Sequence, residues 1–181
     1  MHTLVLERAR LSTLAKILAV FLFTLATALS ARVRVLLPFS PVPLTLQVLM
    51  VLLSGLALGW RGGLISQGLY LQAILLGAPW TAAGLGGPAA FVAPTAGYLL
   101  AFPLAAALAG LASERTGHHL WGRVAGGLLG LALIYALGIA WLSRFVGGLA
   151  NGWRLGVIPF LGADALKVLI AASILSLRRG Q

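Results

Sequence analysis

No cysteine occurs anywhere in the chain, which removes disulfides, thiolate metal sites and cysteine nucleophiles together. Carboxylates are nearly as scarce, since Glu7, Glu114 and Asp164 are all there are. Imidazoles are limited to His2, His118 and His119, and the adjacent pair lacks the helical spacing of metal ligands, so no metal site is expected. The chain has no Gly-x-Ser-x-Gly, no His-Glu-x-x-His and no P-loop lysine. These absences argue against an enzyme and exclude hydrolysis of ATP by this chain, so any pumping must be powered by another subunit or by a gradient.

What the chain has in abundance is apolar surface. Of 181 residues 60% are hydrophobic and 9% charged, and the mean hydropathy is +1.02, far outside the range of soluble domains. An integral membrane protein follows. A membrane-spanning helix needs about 20 mostly apolar residues, so the length allows six or seven spans and no sizeable soluble domain. Apolar runs separated by Gly, Pro or Arg predict one all-α transmembrane domain over residues 1–181, a bundle of six helices at about 12–31, 44–59, 62–77, 94–112, 122–147 and 159–177. The third is short for a full span and leads into a Gly/Pro-rich connection. The first, preceded by Arg8 and Arg10 and followed by Ala28-Leu29-Ser30-Ala31, also resembles a secretory signal. Its apolar stretch exceeds the usual signal core of about 7–15 residues, and it is taken as helix 1.

The net charge of +10 does not indicate nucleic acid, because the arginines are scattered through short connections with no interleaved aromatic surface. Basic residues of membrane proteins collect in cytoplasmic loops. With six spans and the N-terminus inside, the inner set is Arg8, Arg10, Lys16, Arg61, Arg115, Arg123, Arg178 and Arg179, and the outer set is Arg32, Arg34, Arg144 and Arg154. Eight against four predicts a multi-pass protein of the cytoplasmic membrane with both termini in the cytoplasm. Trp60, Trp80, Trp121 and Trp153 fall near span ends, as interfacial anchors do, whereas Trp141 lies inside a span. This topology brings three unusual connections to the outer face: residues 38–47, the Gly/Pro-rich stretch 77–94, and residues 156–162, which lead into Asp164.

Asp164 is the only carboxylate in the apolar part of the chain, and Lys167 follows it by three residues, on the same helical face. A charge near the bilayer centre costs about 2.5–3.5 kcal/mol on insertion scales, so such residues are paired or face water, and most serve function. The plainer alternative is a first-turn aspartate favoured by the helix dipole beside a lysine that snorkels outward. The stretch 78–93 carries no charge, and its Gly84, Gly86, Gly87, Pro79 and Pro88 suit either a cavity lid or an ordinary loop. Thr45, Gln47, Gln67, Tyr70, Gln72, Thr95 and Tyr98 are polar residues in apolar segments. Each alone serves more often as interhelical glue, and Thr45, Gln47, Thr95 and Tyr98 gain interest from their place near outer span ends. Small residues four apart, such as Ala15 with Ala19 and Gly55 with Gly59, let helices approach closely.

Three motifs in order, Pro41-Val42-Pro43-Leu44-Thr45-Leu46-Gln47, Ala93-Pro94-Thr95-Ala96-Gly97-Tyr98-Leu99 and Pro159-Phe160-Leu161-Gly162-Ala163-Asp164-Ala165-Leu166-Lys167, resemble the BioY family from about residue 12 to the C-terminus. Members of that family are the biotin-specific substrate-binding (S) components of energy-coupling factor (ECF) transporters. The resemblance implies high-affinity biotin uptake by a six-helix bundle with a pocket near the outer face. It also implies a transmembrane coupling subunit and two cytoplasmic ATPases as partners in the bilayer, with no cofactor. Carried over by motif, biotin-binding residues would be Thr45, Gln47, Thr95, Gly97, Tyr98, Asp164 and Lys167, to which Gly86 of the Gly-rich loop and Phe91 are added. Asp164 would accept a ureido N–H, Lys167 would donate to the ureido oxygen, and Tyr98 and Phe91 would pack on the rings. Ala15 and Ala19 resemble the helix 1 pair that contacts the coupling subunit. Where relatives carry Gly-Pro-Thr-Gly-Gly-Tyr this chain has Ala93-Pro94-Thr95-Ala96-Gly97-Tyr98, which bears on loop contacts more than on the Asp and Lys.

The partner of the biotin carboxylate is open among Arg32, Arg34, loop backbone N–H groups and water, and a homo-oligomer is compatible with the sequence. Two other readings remain: an S component for another vitamin, and a membrane scaffold subunit that transports nothing, in which Asp164 and Lys167 would satisfy only each other.

Overall fold

The structure, a computed structural model, describes residues 2–177, with side chains for 13–176. Of the residues counted above for orientation, Arg178 and Arg179 lie outside the described residues, as do the side chains of Arg8 and Arg10. The order is α1 (His2–Ser30), β1 (Arg34–Val35), β2 (Leu44–Thr45), α2 (Gln47–Leu75), a 3₁₀ turn (Pro88–Phe91), α3 (Ala96–Arg115), α4 (Leu120–Val146), α5 (Leu149–Gly156), a second 3₁₀ turn (Ile158–Phe160) and α6 (Leu161–Leu177). The two short strands pair antiparallel, Arg34 opposite Thr45 and Val35 opposite Leu44. Among the described residues five helical segments are long and apolar enough to cross a membrane: Thr13–Ser30, Gln47–Leu75, Ala96–Arg115, Leu120–Val146 and Leu149–Ser176. The last window joins α5 and α6 across the 3₁₀ turn. Leucines and phenylalanines stay exposed along these helices, Leu18, Phe21, Leu22, Leu25 and Leu29 on α1 among them, as lipid-facing surface requires.

Residues 47–75 were expected as two helices, and α2 is a single element only by continuity. At Gly59 the backbone turns to φ 77°, ψ 175°, a conformation almost confined to glycine. Across that break Gln47 Nε2 donates to Tyr70 Oη at 2.6 Å and Gln67 Nε2 donates to Ser54 Oγ at 3.1 Å. A Cβ on Gly63 would overlap Gly55 Cα. Partners 47 with 70, 54 with 67 and 55 with 63 describe two antiparallel arms folded at Gly59. At 1.5 Å rise per residue the arms are roughly 18 and 24 Å long. Glu114, at the end of α3, accepts the Trp60 backbone N–H at 3.0 Å and so caps the second arm, where the helix dipole favours a carboxylate.

Contacts too close for any side chain lock α2 to α3. A Cβ on Gly55 would overlap the Ala106 carbonyl, and one on Gly110 would overlap the Gly55 carbonyl and the Trp60 nitrogen. Polar groups hold α1 to α2: Thr24 Oγ1 donates to the Ser66 carbonyl at 2.9 Å, and Gln67 Nε2 donates to Thr27 Oγ1 at 3.1 Å. Helix α4 closes on the left-handed Gly147, and α5 is a short amphipathic helix where the sequence suggested only a connection. Hydropathy missed α5 because eight residues containing Asn151 and Arg154 fall below any spanning threshold.

Replacing Gly59 by alanine places a Cβ in that disfavoured backbone and against the Glu114 carboxylate. The substitution is expected to destabilise the protein by about 1–3 kcal/mol, and thermal unfolding in detergent checks it. An unchanged midpoint would contradict the strained turn.

Candidate functional site

A cavity of about 180 Å³ opens where the β1–β2 ribbon, the loop after α2, α3, α4 and the α5–α6 junction converge. Its walls are mainly apolar, with Phe102, Ile134 and Phe160 among them, and its polar lining includes Thr45, Gln47, Tyr135, Asp164 and Lys167. Asp164 and Lys167 line it together, 3% and 7% exposed, with Nζ to Oδ1 at 2.6 Å. The first turn of α6 sets this geometry, because residues three apart on a helix share a face.

Neither member of the pair is satisfied by the other alone. Tyr135 of α4 donates its hydroxyl to Asp164 Oδ2 at 2.7 Å. Lys167 Nζ also donates to the Thr45 carbonyl at 2.6 Å, which fastens α6 to β2. An ammonium has three protons and a carboxylate about four acceptor positions. Two lysine protons and two carboxylate positions are therefore taken, leaving one donor and further acceptor capacity side by side at the cavity. A ligand that presents a donor next to an acceptor matches that arrangement.

Gln47 contributes a second oriented acceptor. Tyr70 donates its hydroxyl to the Trp80 carbonyl at 3.0 Å, so the bond between Tyr70 and Gln47 must use the amide NH₂ as donor. The side-chain carbonyl oxygen is then what Gln47 offers the cavity it lines. Thr45 Oγ1 is occupied locally, accepting the Gln47 backbone N–H at 3.2 Å. Tyr98 lies against α4 with its hydroxyl donating to the Gly156 carbonyl at 3.0 Å, in a slot that a Cβ at Gly138 or Gly156 would fill.

The structure thus brings Thr45, Gln47, Thr95, Tyr98, Asp164 and Lys167 to one cavity. Gly86, Phe91 and Gly97 are not in its lining. Gly86 packs on the Gly77 and Ala78 carbonyls, Gly97 packs on Leu137 and Trp141 of α4, and Phe91 ends the first 3₁₀ turn against the core. Arg32 is not in the lining either: its Nη2 donates to the Pro79 carbonyl at 2.7 Å and ties the loop to the end of α1. Trp141, out of place for an interfacial anchor, donates its indole N–H to the Ala93 carbonyl at 2.9 Å and holds the far end of the same loop. Tyr135 was missed by sequence reasoning. Its signal was available, a single phenol in the apolar run Leu131–Leu137, where burial demands a partner. Ala15 and Ala19 lie elsewhere, on a separate groove between α1 and α2.

A helical membrane bundle with a mainly apolar cavity and a few convergent polar groups has the form that small-solute sites take. Residues 4–180 match the BioY family, and the chain belongs to it. It is 41% identical over 155 residues to "Probable biotin transporter BioY" of Pyrococcus horikoshii, covering 86% of this chain and 90% of that one. It is 36% identical over 153 residues to "Biotin transporter BioY" of Thermotoga maritima, covering 84% and 89%. The relative from Rhizobium etli, also a "Biotin transporter BioY", is 33% identical over 171 residues, covering 90% and 91%. Among solved structures, the crystal structure at 2.1 Å of the S-component for biotin from an ECF-type ABC transporter superposes with a TM-score of 0.86. It shares 24% identity and covers 94% of this chain and 93% of its own, which establishes a common fold.

Removing one member of a buried pair strands the other, at a cost of about 3–5 kcal/mol, whereas an apolar replacement of both is far better tolerated. Lys167→Met and Asp164→Leu are each expected to lose about that much stability without ligand, and the double substitution is expected to be more stable than either single. Thermal unfolding of the three variants in detergent checks the order; additive losses would rule out direct coupling.

Proposed function

We propose that this chain is the biotin-binding S component of an ECF transporter and takes up biotin across the cytoplasmic membrane. The observation that carries the proposal is the Asp164–Lys167 pair, poised at the cavity of a BioY family member with one lysine donor and free carboxylate lone pairs. The ureido ring of biotin sets an N–H beside a carbonyl. Asp164 accepts the N–H, Lys167 donates its third proton to the oxygen, and Tyr135 and the Thr45 carbonyl hold the pair in place. Gln47 supplies an acceptor, Tyr98 and Thr95 complete the wall with Phe102 and Phe160, and Gly86, Phe91 and Gly97 act from behind it by packing.

The same reading has six membrane crossings, the two arms of α2 counting separately, with the Gly/Pro-rich loop after the third at the outer face. The break at Gly59 supports it, as does the excess of basic residues on the side of the termini. Both termini are then cytoplasmic, and Ala15 and Ala19 of α1 face a transmembrane coupling subunit that links this chain to ATPase subunits.

Protein purified from biotin-depleted cells is expected to bind biotin and to reject thiamine and riboflavin. Asp164→Asn and Lys167→Ala should each weaken biotin by about a hundredfold or more, since each leaves a buried charge without its partner. Near wild-type affinity in both variants would sink the site, and absence of a preference for biotin would sink the function.

A further inference from the structure

The second hollow of the molecule is larger than the first, about 740 Å³, and lies between α1 and the fold of α2. Its lining is graded along its length. In the upper part α1 and the second arm of α2 run parallel, since Thr24 bonds to Ser66 and Thr27 to Gln67. Stepping back about two turns from Thr24 and Ser66 brings Lys16 level with the break at Gly59. Lys16, Trp60, Arg61 and Glu114 therefore gather at the end near the Gly59 break, while Val20, Phe21, Ile65 and Leu69 line the way toward the middle of the bundle.

The charges at that end are unbalanced. Neither Lys16 nor Arg61 forms an ion pair among the described residues, where the one salt bridge is that of Asp164 and Lys167. Glu114 lines the same end, with Oε1 engaged by the Trp60 N–H, so two cations stand against one anion. The Arg61 guanidinium sits 5.0 Å from the centre of the Trp60 ring, a basic and aromatic pairing typical of headgroup level. A groove that is cationic at headgroup level and apolar for the next turns has the polarity of an anionic phospholipid, and basic pockets between transmembrane helices take such headgroups.

We propose that this groove binds an anionic phospholipid, its phosphate held by Lys16 and Arg61 and an acyl chain lying along Val20, Phe21, Ile65 and Leu69. Ala15 and Ala19 lie in the same groove. On the reading given above, a coupling subunit that docks on them displaces the lipid, so the lipid belongs to the protein before assembly.

Native mass spectrometry of the purified chain, titrated with phosphatidylglycerol and phosphatidylcholine of identical acyl chains, tests the site. The expected result is a preference for phosphatidylglycerol of about tenfold or more, with roughly fivefold lost for each basic side chain removed. The Lys16→Gln/Arg61→Gln double variant should then bind both lipids alike, while Arg144→Gln/Arg154→Gln, distant basic residues on α4 and α5, should keep the preference. No preference in the wild type, a preference retained by the Lys16/Arg61 variant, or an equal loss in the Arg144/Arg154 variant overturns the proposal. Biotin binding measured in the same preparations reports on the substrate reading separately, because the lipid preference is expected whether or not biotin binds.

Discussion

Two opposite charges buried at 2.6 Å inside an apolar bundle must be surrounded by further polar partners, and that requirement organises one whole end of this protein. Lys167 takes the carbonyl of Thr45, which draws the β1–β2 ribbon onto α6. Asp164 takes the hydroxyl of Tyr135, which fixes the face that α4 turns toward the cavity. Three parts of the chain distant in sequence are thereby pinned to one point. Because neither ion is saturated by these bonds, the cost of burying the pair is fully offset only when something else fills the remaining positions. On the function proposed above, stability and recognition draw on the same atoms.

The loop after α2 follows from the same logic at lower energy. It is irregular and rich in Gly and Pro, so its backbone groups cannot bond to one another in a regular ladder. Arg32 takes the Pro79 carbonyl, Tyr70 takes that of Trp80, and Trp141 takes that of Ala93. These long side chains, one from the turn after α1 and the others from α2 and α4, fasten the loop over the cavity. They also orient Gln47, since a tyrosine that has already donated its proton accepts only from an amide NH₂.

Features that depend on one residue's cost in an apolar setting were legible from the chain alone. Asp164 and Lys167 stood out because an intramembrane charge needs a reason, and the spacing of three placed them on one face. Tyr135 was not singled out, because a phenol in an apolar run reads as packing until its partner, 29 residues further on, is located. Gly86, which suits either a cavity lid or an ordinary loop, and Gly97, carried over by motif, are points of close approach to other parts of the protein: the loop's own carbonyls in one case and α4 in the other. Glycine signals close approach without saying to what. The two arms of α2 were expected from the Gly and Arg between apolar runs, yet their antiparallel contact depends on pairs such as Gln47 with Tyr70 that no periodicity reveals.

The arms of α2 and helix α3 reach the cavity and the groove alike, Gln47 and Tyr98 at the cavity, Leu58 and Glu114 at the groove. Along the first arm those ends are roughly 17 Å apart at 1.5 Å per residue. Between them the packing leaves no slack, because Gly55 touches Ala106, Gly63 and Gly110 with no space for even a methyl group. Close-packed interiors do not deform continuously, and helices interlocked in this way move together or not at all. Helix α1 is different: it rests on α2 through Thr24, Thr27 and Gln67 and through Phe23 and Ala28 in the shared core, and most of its described surface lies outside the bundle. Of the two walls of the groove, the α2 wall is thus continuous through close packing with the cavity, while α1 packs on α2 along one face and turns the rest outward.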